Sequence, residues 1–419
     1  MFNEYKIKDV IEEIIDYRGK TPKKLGGDWS EEKTEYMALS AKNIKKGRIV
    51  QPDTIRYVDQ EMYNKWMKQE VERGTILITS EAPFGELLYW DSDDKIVLSQ
   101  RLFGLKIKKE FNSRYIYYYM FSEQFQGELS GRATGSTVTG LRQPELLKCH
   151  LKFPNRKYQD IIANILMNID KKIDLNSEIN NNLFELMKRT YIEWFKNYNI
   201  PDMTFELKDS ELGKIPCDWN VKHLKDVFFF QEGPGIRNWQ YVEKDGTKFI
   251  NIRCIKDNDL ELDTANMISN EEADGKYKHF MLNEWDVVVS TSGTLGRNQI
   301  IRKEHLPLCL NTSVIRFKPI NGFDEYAFMY NYLISDEFLN LLDVMATGSA
   351  QRNFGPMHLN KIDLVYPDKD IIKKFNDLIF PVIKNIQNNK AENMKLSQLR
   401  DTLLPKLMNG EIDLDNIEI

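Results

Sequence analysis

The sequence predicts an α+β protein in which two α/β globular domains are joined by two long helices that pair as an antiparallel coiled coil. Three observations predict this fold class. A segment of the chain repeats at about half its length, β-branched segments precede glycine-containing loops, and two long polar segments carry an apolar heptad stripe. Because one unit is present twice, we expect an internal pseudo-twofold repeat.

The repeat is defined by a tetrapeptide. Ala-Thr-Gly-Ser at 133–136 recurs 213 positions later at 346–349, and the same offset places Pro154 on Pro367. A chain of 419 residues is long enough for two domains that each bury a core. The predicted boundaries are 1–153 for the first globular domain, 154–200 for a central spacer helix, 201–213 for a linker, 214–366 for the second globular domain, 367–410 for a C-terminal spacer helix and 411–419 for a tail.

Each globular domain is expected to contain a sheet. Segments 75–79 and 286–290 are rich in β-branched residues, which favours strands. Each precedes a loop that ends at a glycine, Gly85 in the first copy and Gly296 in the second. The strands are similar between the copies, whereas the loops differ in sequence.

The two long helices carry an apolar stripe with a period of 3.5 residues, which is typical of helices that pack along a partner. About 40 residues of helix reach roughly 60 Å, so each helix is expected to act as a spacer. The residues predicted to pair the helices are Ile162, Ile165, Ile169, Asn176, Ile179, Leu183 and Leu186 in the first copy, and Phe375, Leu378, Val382, Asn389, Leu396 and Leu399 in the second.

Asn176 and Asn389 occupy matching positions of this stripe. A polar residue at such a position weakens a coiled coil but fixes its register, because its amide must find a polar partner in the seam. Asparagine is frequent throughout both helices, and a compositional bias explains the two residues equally well.

The composition limits the classes of function. A net charge of −5 argues against a surface that coats nucleic acid everywhere, although a local basic face remains compatible with it. No apolar segment approaches the roughly 18 residues of a membrane span, and the first residues lack the pattern of a signal peptide, so we expect a cytoplasmic protein. The four cysteines form no C-x-x-C pair, and no metal site is predicted.

Motifs that resemble catalytic sites fail on inspection. Gly19-Lys20-Thr21 imitates the end of a phosphate-binding loop, but the glycine required five positions earlier is replaced by Ile14. The chain has no Pro-Pro dipeptide, which the motif of adenine methylation requires. Asp202 and Glu206 leave open a compact nuclease. No catalytic residue set recurs in both halves, so we predict no catalytic residues and a binding function.

Two segments resemble a known family. Segment 212–227 contains Leu-Gly-x-Ile-Pro-x-x-Trp followed by Leu-x-Asp-Val, and is similar to the segment that opens a target-recognition domain in the specificity subunits of type I restriction-modification systems. Segment 403–412, Leu-Leu-Pro-Lys-Leu-Met-Asn-Gly-Glu-Ile, resembles the closing signature of that family. The first domain begins directly at Lys6-Ile7-Lys8-Asp9-Val10 and lacks the Gly-x-Ile-Pro-x-x-Trp lead-in.

The resemblance implies a non-catalytic protein that recognises double-stranded DNA. Each target-recognition domain is expected to bind one half of a bipartite, asymmetric site. The helices are expected to hold the domains apart and to bind two methyltransferase (modification) subunits, and through them restriction subunits. No cofactor is expected on this chain, because S-adenosylmethionine belongs to the partner methyltransferase.

Discrimination between bases requires arginine, amide and small hydroxyl side chains on loops that enter a groove. The candidates for DNA contact in the first domain are Arg18, Lys20, Lys23, Ser80, Arg101, Thr137 and Arg142. The candidates in the second domain are Arg237, Asn238, Gln240, Ser292, Thr294, Arg297, Gln351, Arg352 and Asn353. An alternative function is an elongated scaffold that binds proteins without DNA specificity, since the acidic composition and long helices also suit that class.

Overall fold

The computed structural model describes residues 2–134, 139–256, 259–346 and 353–415. The chain forms two compact units. Unit 1 comprises 1–173 and 395–419, and unit 2 comprises 174–394. Each unit therefore combines one globular part with portions of both long helices. Among the described residues, no helix is both long enough and apolar enough to cross a membrane.

The first half of the chain supplies the globular part of unit 1 and the first long helix. Its strands are β1 (Asn3–Lys6), β2 (Ile11–Asp16), β3 (Tyr36–Leu39), β4 (Ile44–Lys45), β5 (Arg48–Ile49), β6 (Arg56–Val58), β7 (Ile76–Thr79), β8 (Leu87–Tyr89), β9 (Ile96–Leu98), β10 (Leu102–Ile107) and β11 (His150–Phe153). Its helices are α1 (Ile7–Val10), α2 (Gln60–Trp66), α3 (Ser113–Tyr119), α4 (Glu123–Gly131), α5 (Gln143–Leu146) and α6 (Arg156–Phe195).

The second half follows the same general order, after an added hairpin at its start. Its strands are β12 (Leu207–Ser210), β13 (Gly213–Pro216), β14 (Asn220–His223), β15 (Phe228–Glu232), β16 (Tyr241–Val242), β17 (Gly246–Phe249), β18 (Met267–Ser269), β19 (Val287–Ser290), β20 (Asn298–Ile300), β21 (Leu308–Cys309), β22 (Val314–Pro319) and β23 (Asp363–Tyr366). Its helices are α7 (Leu224–Val227), α8 (Asn270–Asp274), α9 (Tyr326–Leu333), α10 (Asp336–Met345), α11 (Pro356–Leu359) and α12 (Lys369–Met408).

Both units contain the same central sheet. Unit 1 has the strand order β2-β10-β7-β8, and unit 2 has the order β15-β22-β19-β20, with antiparallel pairing throughout. The two strands predicted from β-branched content are β7 and β19, and every residue in them is buried. A second sheet in each unit contains a parallel pair, β3 with β9 in unit 1 and β17 with β21 in unit 2. The predicted internal repeat is confirmed.

Within unit 2, the long helices run antiparallel. Trp194 of α6 packs on Phe375 of α12, with ring centroids 5.5 Å apart. Asn389 donates a hydrogen bond of 2.9 Å to Oδ1 of Asn180. Buried Asn176 donates to Oε2 of Glu392 at 2.7 Å. The residue numbers of the contacts thus increase along α12 as they decrease along α6, which defines an antiparallel pair. Amide side chains form hydrogen bonds across the seam.

Within unit 1, the first residues of α6 pack against the last turns of α12. Arg400 donates to Oδ1 of Asp170 at 2.9 Å, and Tyr118 of α3 donates to Oδ2 of the same carboxylate at 2.6 Å. Leu166 of α6 and Leu407 of α12 are buried in one apolar core. The predicted fold class, with two α/β globular parts and an antiparallel pair of long helices, is therefore confirmed.

The predicted phase of the second position in each heptad requires correction, whereas the first-position residues Ile162, Ile169, Asn176 and Phe375 are buried. Ile179 and Leu186 of α6 have 37% and 52% of their surface exposed, and Leu378 and Leu399 of α12 have 52% and 47%. In each heptad of α6, the first predicted residue (Ile162, Ile169, Asn176 or Leu183) is followed by a second seam residue. That second residue lies four positions further along the chain, not three as predicted. In α6 the buried or partly buried residues at these positions are Leu166, Ile173, Asn180 and Met187, and the α12 stripe contains Ile372, Phe375, Ile379, Ile383 and Ile386.

The physical reason is that the seam contains amides. Asn180 lies in the seam beside exposed Ile179. A stripe assigned from hydrophobicity alone selects the isoleucine, although the asparagine satisfies its polar groups with Asn389 across the helix pair. The sequence pattern was therefore correct in period and in the first position of each heptad, and wrong in the second position at Ile179, Leu186, Leu378 and Leu399.

The lead-in that the first domain lacks forms a hairpin in unit 2. β12 and β13 pair antiparallel and are followed by Trp219, which is fully buried. The Trp219 ring contacts Phe195, Tyr198 and Phe205 at centroid distances of 5.9, 5.4 and 5.8 Å. The Gly-x-Ile-Pro-x-x-Trp segment therefore seals the end of α6 onto the core of unit 2.

A buried charged cluster lies between the globular part of unit 2 and α12. Arg302 forms two hydrogen bonds with Asp259, at 2.8 and 2.7 Å, and approaches Oε1 of Gln387 at 3.5 Å. Burial by itself raises the pKa of Asp259, but the hydrogen bond and charge of Arg302 outweigh it and hold that pKa below its usual value. Burial, reinforced by the Arg302 charge, lowers the pKa of His305 to about 4. His305 is thus neutral at pH 7, and its Nδ1 accepts a hydrogen bond of 3.1 Å from the backbone N–H of Arg302.

The corrected phase makes opposite predictions for two adjacent residues of α6. Met187 is fully buried, whereas Leu186 is 52% exposed. We expect Met187→Ala to lower the free energy of unfolding of unit 2 by about 2–5 kcal/mol, because it leaves a cavity. Leu186→Ala should change it by no more than about 0.5 kcal/mol. Urea denaturation followed by tryptophan fluorescence measures both, and a larger loss for Leu186→Ala would contradict the corrected phase.

The His305 pKa gives a pH dependence with a definite sign. Since the folded pKa of about 4 lies below the ordinary value of 6.5, the unfolded chain binds the proton more readily in this range. Stability should therefore fall as the pH decreases from 6.5 to 4, by up to about 3 kcal/mol. His305→Asn retains an acceptor for the Arg302 N–H and removes this titration. The difference in unfolding free energy between wild type and variant should shrink on acidification, and a constant difference would contradict the assignment.

Candidate nucleic-acid interface

Three loops of unit 1 meet at the residue that follows strand β7. The N–H of Ser80 donates to the carbonyl of Arg101 at 2.8 Å, which fixes the turn between β9 and β10. The Ser80 carbonyl accepts from the N–H of Leu141 at 2.9 Å, which fixes the segment that leads into α5. One peptide group on each side of Ser80 thus holds both neighbouring loops against the loop that begins at Ser80 itself.

Unit 2 uses the same pair of backbone contacts. The N–H of Thr291 donates to the carbonyl of Ser313 at 3.1 Å, and the Thr291 carbonyl accepts from the N–H of Phe354 at 3.2 Å. Thr291 follows β19 as Ser80 follows β7, 211 positions earlier. The two copies therefore share the frame that positions their loops, although the loop sequences differ.

The glycines that end these loops are required by the backbone. The Gly85 N–H donates to the Thr79 carbonyl at 3.0 Å, and the Gly296 N–H donates to the Ser290 carbonyl at 3.1 Å. Both glycines have left-handed φ angles, of 73° and 76°. A Cβ at Gly296 would also lie 2.4 Å from Leu339. Each loop consequently closes tightly back onto its strand.

Two of the loops of unit 1, those that contain Ala82 and Arg101, line a cleft of about 340 Å³ together with the turn that follows β3 and residues near β6. Three of its lining residues are cationic, Lys42, Arg56 and Arg101, and none of the described lining residues is acidic. Arg56 lies over the ring of Trp29, 5.3 Å from its centroid. The remaining lining residues are Ala38, Ser40, Ala41, Asn43, Thr54, Ala82, Ser99 and Gln100.

In unit 2, the loop that begins at Thr291 lines a second cleft, of about 250 Å³, together with the turn that follows β17. It also has three cationic residues, Arg253, Lys256 and Arg297, and again no acid among its described lining residues. The other lining residues are Ile252, Ser290, Ser292 and Thr294. Lys42 and Arg253 are equivalent, because each lies in the turn that follows the first strand of the parallel pair, β3 in unit 1 and β17 in unit 2.

This charge distribution contrasts with the whole chain. The formal net charge is −5, yet each unit places three cations around one cleft. Clustered arginine and lysine beside small hydroxyl and amide groups suit a polyanion whose phosphates are neutralised and whose base edges accept or donate hydrogen bonds. The two clefts are therefore the candidate nucleic-acid interface.

The structure places the DNA-contact candidates of unit 1 in different roles. Arg101 lines the cleft. Arg18 is held by two side-chain hydrogen bonds to Asp16, of 2.9 and 2.8 Å, and donates to the Leu141 carbonyl, so it braces the segment that leads into α5. Ser80 contradicts its prediction, because its side chain is buried and its backbone serves as the junction.

The other candidates of unit 1 lie outside the cleft lining. Lys20 donates to the Trp66 carbonyl at 3.2 Å. Lys23 is exposed in a short 3-10 helix, and Arg142 is exposed at the start of α5. Thr137 lies outside the described residues.

In unit 2, Ser292, Thr294 and Arg297 line the cleft as a group. Asn353 forms an antiparallel bridge with Ser292 and is exposed. Gln240 contradicts its prediction, because its amide is buried and donates at 2.8 Å to both Glu272 and Tyr277. Neighbouring Arg237 and Asn238 are exposed, and Gln351 and Arg352 lie outside the described residues.

The sequence reasoning missed several cleft residues. These are Trp29, Lys42, Arg56, Gln100, Arg253 and Lys256. Lys42 and Arg253 are separated by 211 positions, whereas the tetrapeptide repeat has an offset of 213. An alignment that allowed a two-residue gap between the copies would have matched them. Trp29 and Arg56 have no such signal, since only the folded loops bring them to the cleft.

These observations define a duplicated α/β protein with one basic cleft in each copy. The chain matches the family described as type I restriction modification DNA specificity domain over residues 1–185 and 216–398. The chain belongs to this family. The predicted class is confirmed: it is a DNA sequence-recognition protein of the specificity-subunit type and not itself an enzyme.

Proteins with similar sequences include specificity subunits of type I restriction enzymes. The specificity subunit of the type I restriction enzyme MjaIX from Methanocaldococcus jannaschii is 24% identical, over 82% of this chain and 79% of that one. The HindI specificity subunit from Haemophilus influenzae is 23% identical, over 82% and 88%. The crystal structure of the type I restriction-modification S subunit from M. genitalium has a TM-score of 0.59 at 17% identity, covering 97% of this chain and 96% of that one, and shows the shared fold.

Proposed function

We propose that this chain recognises a bipartite, asymmetric DNA site, with the cleft of each unit contacting one half, and that its long helices bind two methyltransferase subunits. Restriction subunits would join the complex through those subunits. S-adenosylmethionine would bind to the partner methyltransferase rather than to this chain. The complex would act in the cytoplasm.

The observation that carries the proposal is the pair of equivalent basic clefts. The two backbone hydrogen bonds made at Ser80 recur at Thr291, so each cleft lies beside the same junction of loops. Their lining side chains differ, with Ala82 and Arg101 in one and Ser292 and Arg297 in the other. Two domains with one docking geometry and different contact residues would favour two different half-sites.

Exposed apolar side chains on α6 support the partner part of the proposal. Leu175, Ile179 and Leu186 are exposed by 52%, 37% and 52%. Their spacings of four and seven residues place them on one face of the helix. Isolated exposed leucines are common, but a row of them along a helix is typical of a surface that another protein covers. A methyltransferase subunit is the occupant that membership of this family favours.

The first test concerns the division of labour. We expect the purified chain to bind DNA without methylating it, and methylation to appear only when a methyltransferase partner and S-adenosylmethionine are added. Sequencing of the methylated sites should then show two short specified segments separated by unspecified bases. Methylation by the chain alone would contradict the proposal.

The second test measures the electrostatic contribution of a cleft. Lys42→Gln removes one exposed cation from the cleft of unit 1. We expect weaker binding to duplexes of any sequence and a decrease of about 1 in the slope of log affinity against log salt. Lys109→Gln is the matched control, because Lys109 is an exposed lysine of unit 1 that does not line the cleft. Equal effects of the two substitutions would contradict the assignment of the cleft.

A further inference from the structure

One turn that lines the cleft of unit 1 has a different sequence in unit 2, and this difference indicates how unit 1 distinguishes bases. Unit 1 has Gln100-Arg101 immediately before β10, whereas unit 2 has Thr312-Ser313 immediately before the equivalent strand, β22. We propose that Gln100 and Arg101 are specificity-determining residues that contact purine bases in the half-site of unit 1, Arg101 a guanine and Gln100 an adjacent adenine. This inference rests on the proposed function and identifies the bases involved.

The equivalence of the two turns is fixed by hydrogen bonds rather than by sequence similarity. Ser80 donates to the carbonyl of Arg101, and Thr291 donates to the carbonyl of Ser313. The next residue in each copy begins the central strand, β10 in one and β22 in the other. The turns therefore occupy the same place in the two frames, and the difference between them lies in the side chains.

Arg101 is held in an uncommon conformation. Its φ angle of 67° lies in the left-handed region, which non-glycine residues rarely adopt and which costs about 1–3 kcal/mol. Its side chain is 46% exposed and forms an ion pair with Glu81, with 3.0 Å between Nε and Oε1. The carboxylate approaches the nitrogen nearest the chain, so the terminal nitrogens keep donors for a second acceptor.

Glu81 lies beside the segment that pairs with Ser80. Its Oε2 lies 3.3 Å from the place that a Cβ would occupy on Gly140. The residue at this position of unit 2 is Ser292, which carries no charge. Glu81 is thus a positioning residue that unit 2 lacks together with the arginine it would orient.

The chemistry of the two turns differs accordingly. A guanidinium can donate two hydrogen bonds to O6 and N7 of guanine, and a glutamine amide can pair with N6 and N7 of adenine. Gln100 is exposed in the cleft, and its side chain has no hydrogen bond to any described residue. In unit 2, the Thr312 hydroxyl lies 3.4 Å from Glu232, and the Ser313 hydroxyl lies 3.4 Å from Asn311. Short hydroxyls engaged within the protein do not provide such bidentate contacts.

The experiment is selection of bound duplexes from a randomised 40-base-pair pool by the purified full-length chain, followed by sequencing. Arg101→Gly and Arg101→Asn are the test variants, because glycine and asparagine tolerate the left-handed backbone. Lys46→Gly is the matched control, since Lys46 is a cation of unit 1 with a φ of 48° that does not line the cleft. Gln100→Ala tests the neighbouring contact. Thermal unfolding of each variant confirms that it is folded.

We expect wild type to select two segments, one of which contains guanine next to adenine. Both Arg101 variants should lose the preference for that guanine by about 10- to 100-fold and leave the other segment unchanged. Gln100→Ala should relax the adjacent adenine, and Lys46→Gly should retain the wild-type preferences.

Two results would overturn the inference while leaving the proposed function intact. One is an unchanged pair of segments in the Arg101 variants. The other is a uniform loss of affinity without a change in preference, which would make Arg101 a phosphate contact. Failure of wild type to select any sequence would instead remove the proposed function and this inference together.

Discussion

The candidate interface depends on one backbone arrangement. It consists of the two hydrogen bonds made by the residue that follows β7 in unit 1 and β19 in unit 2. Ser80 in unit 1 and Thr291 in unit 2 each hold two other loops through peptide groups alone. Because peptide hydrogen bonds are independent of side-chain identity, the lining of each cleft can vary while its position stays fixed. That separation of frame from contact residues is what a family of DNA specificity proteins requires.

The long helices meet a different requirement. They must pair along their length and still offer surfaces to other proteins, so only part of their apolar residues can lie in the seam. In unit 2 the seam includes Asn176 and Asn180, whose amides pair with polar groups of the facing helix. Apolar residues such as Leu186 are thereby left on the outside. Amides in the seam weaken the pairing but define its register, since a shift would leave buried polar groups unpaired.

The charged residues are likewise divided between the surface and the interior. The chain as a whole is acidic, while the cations around the clefts come from loops far apart in sequence, such as Lys42 with Arg101 and Arg253 with Arg297. Other charges are used internally: Arg302 is buried against Asp259 near α12 and is unavailable to DNA. A basic residue in the sequence therefore has no assigned role until its neighbours in the fold are known.

The sequence by itself determined the duplication, the strands that precede the variable loops, the two long helices and the family, because these are periodic or local signals. It also placed Arg101, Ser292, Thr294 and Arg297 among the candidate residues, the last three in or beside the loop that follows the predicted strand at 286–290. Only the tertiary structure decided the phase of the helical seam, the burial of Gln240 and the joining of Trp29 and Arg56 to the cleft. The reason is physical: burial and pairing of polar groups depend on contacts between residues distant in the chain, and hydrophobic periodicity carries no information about them.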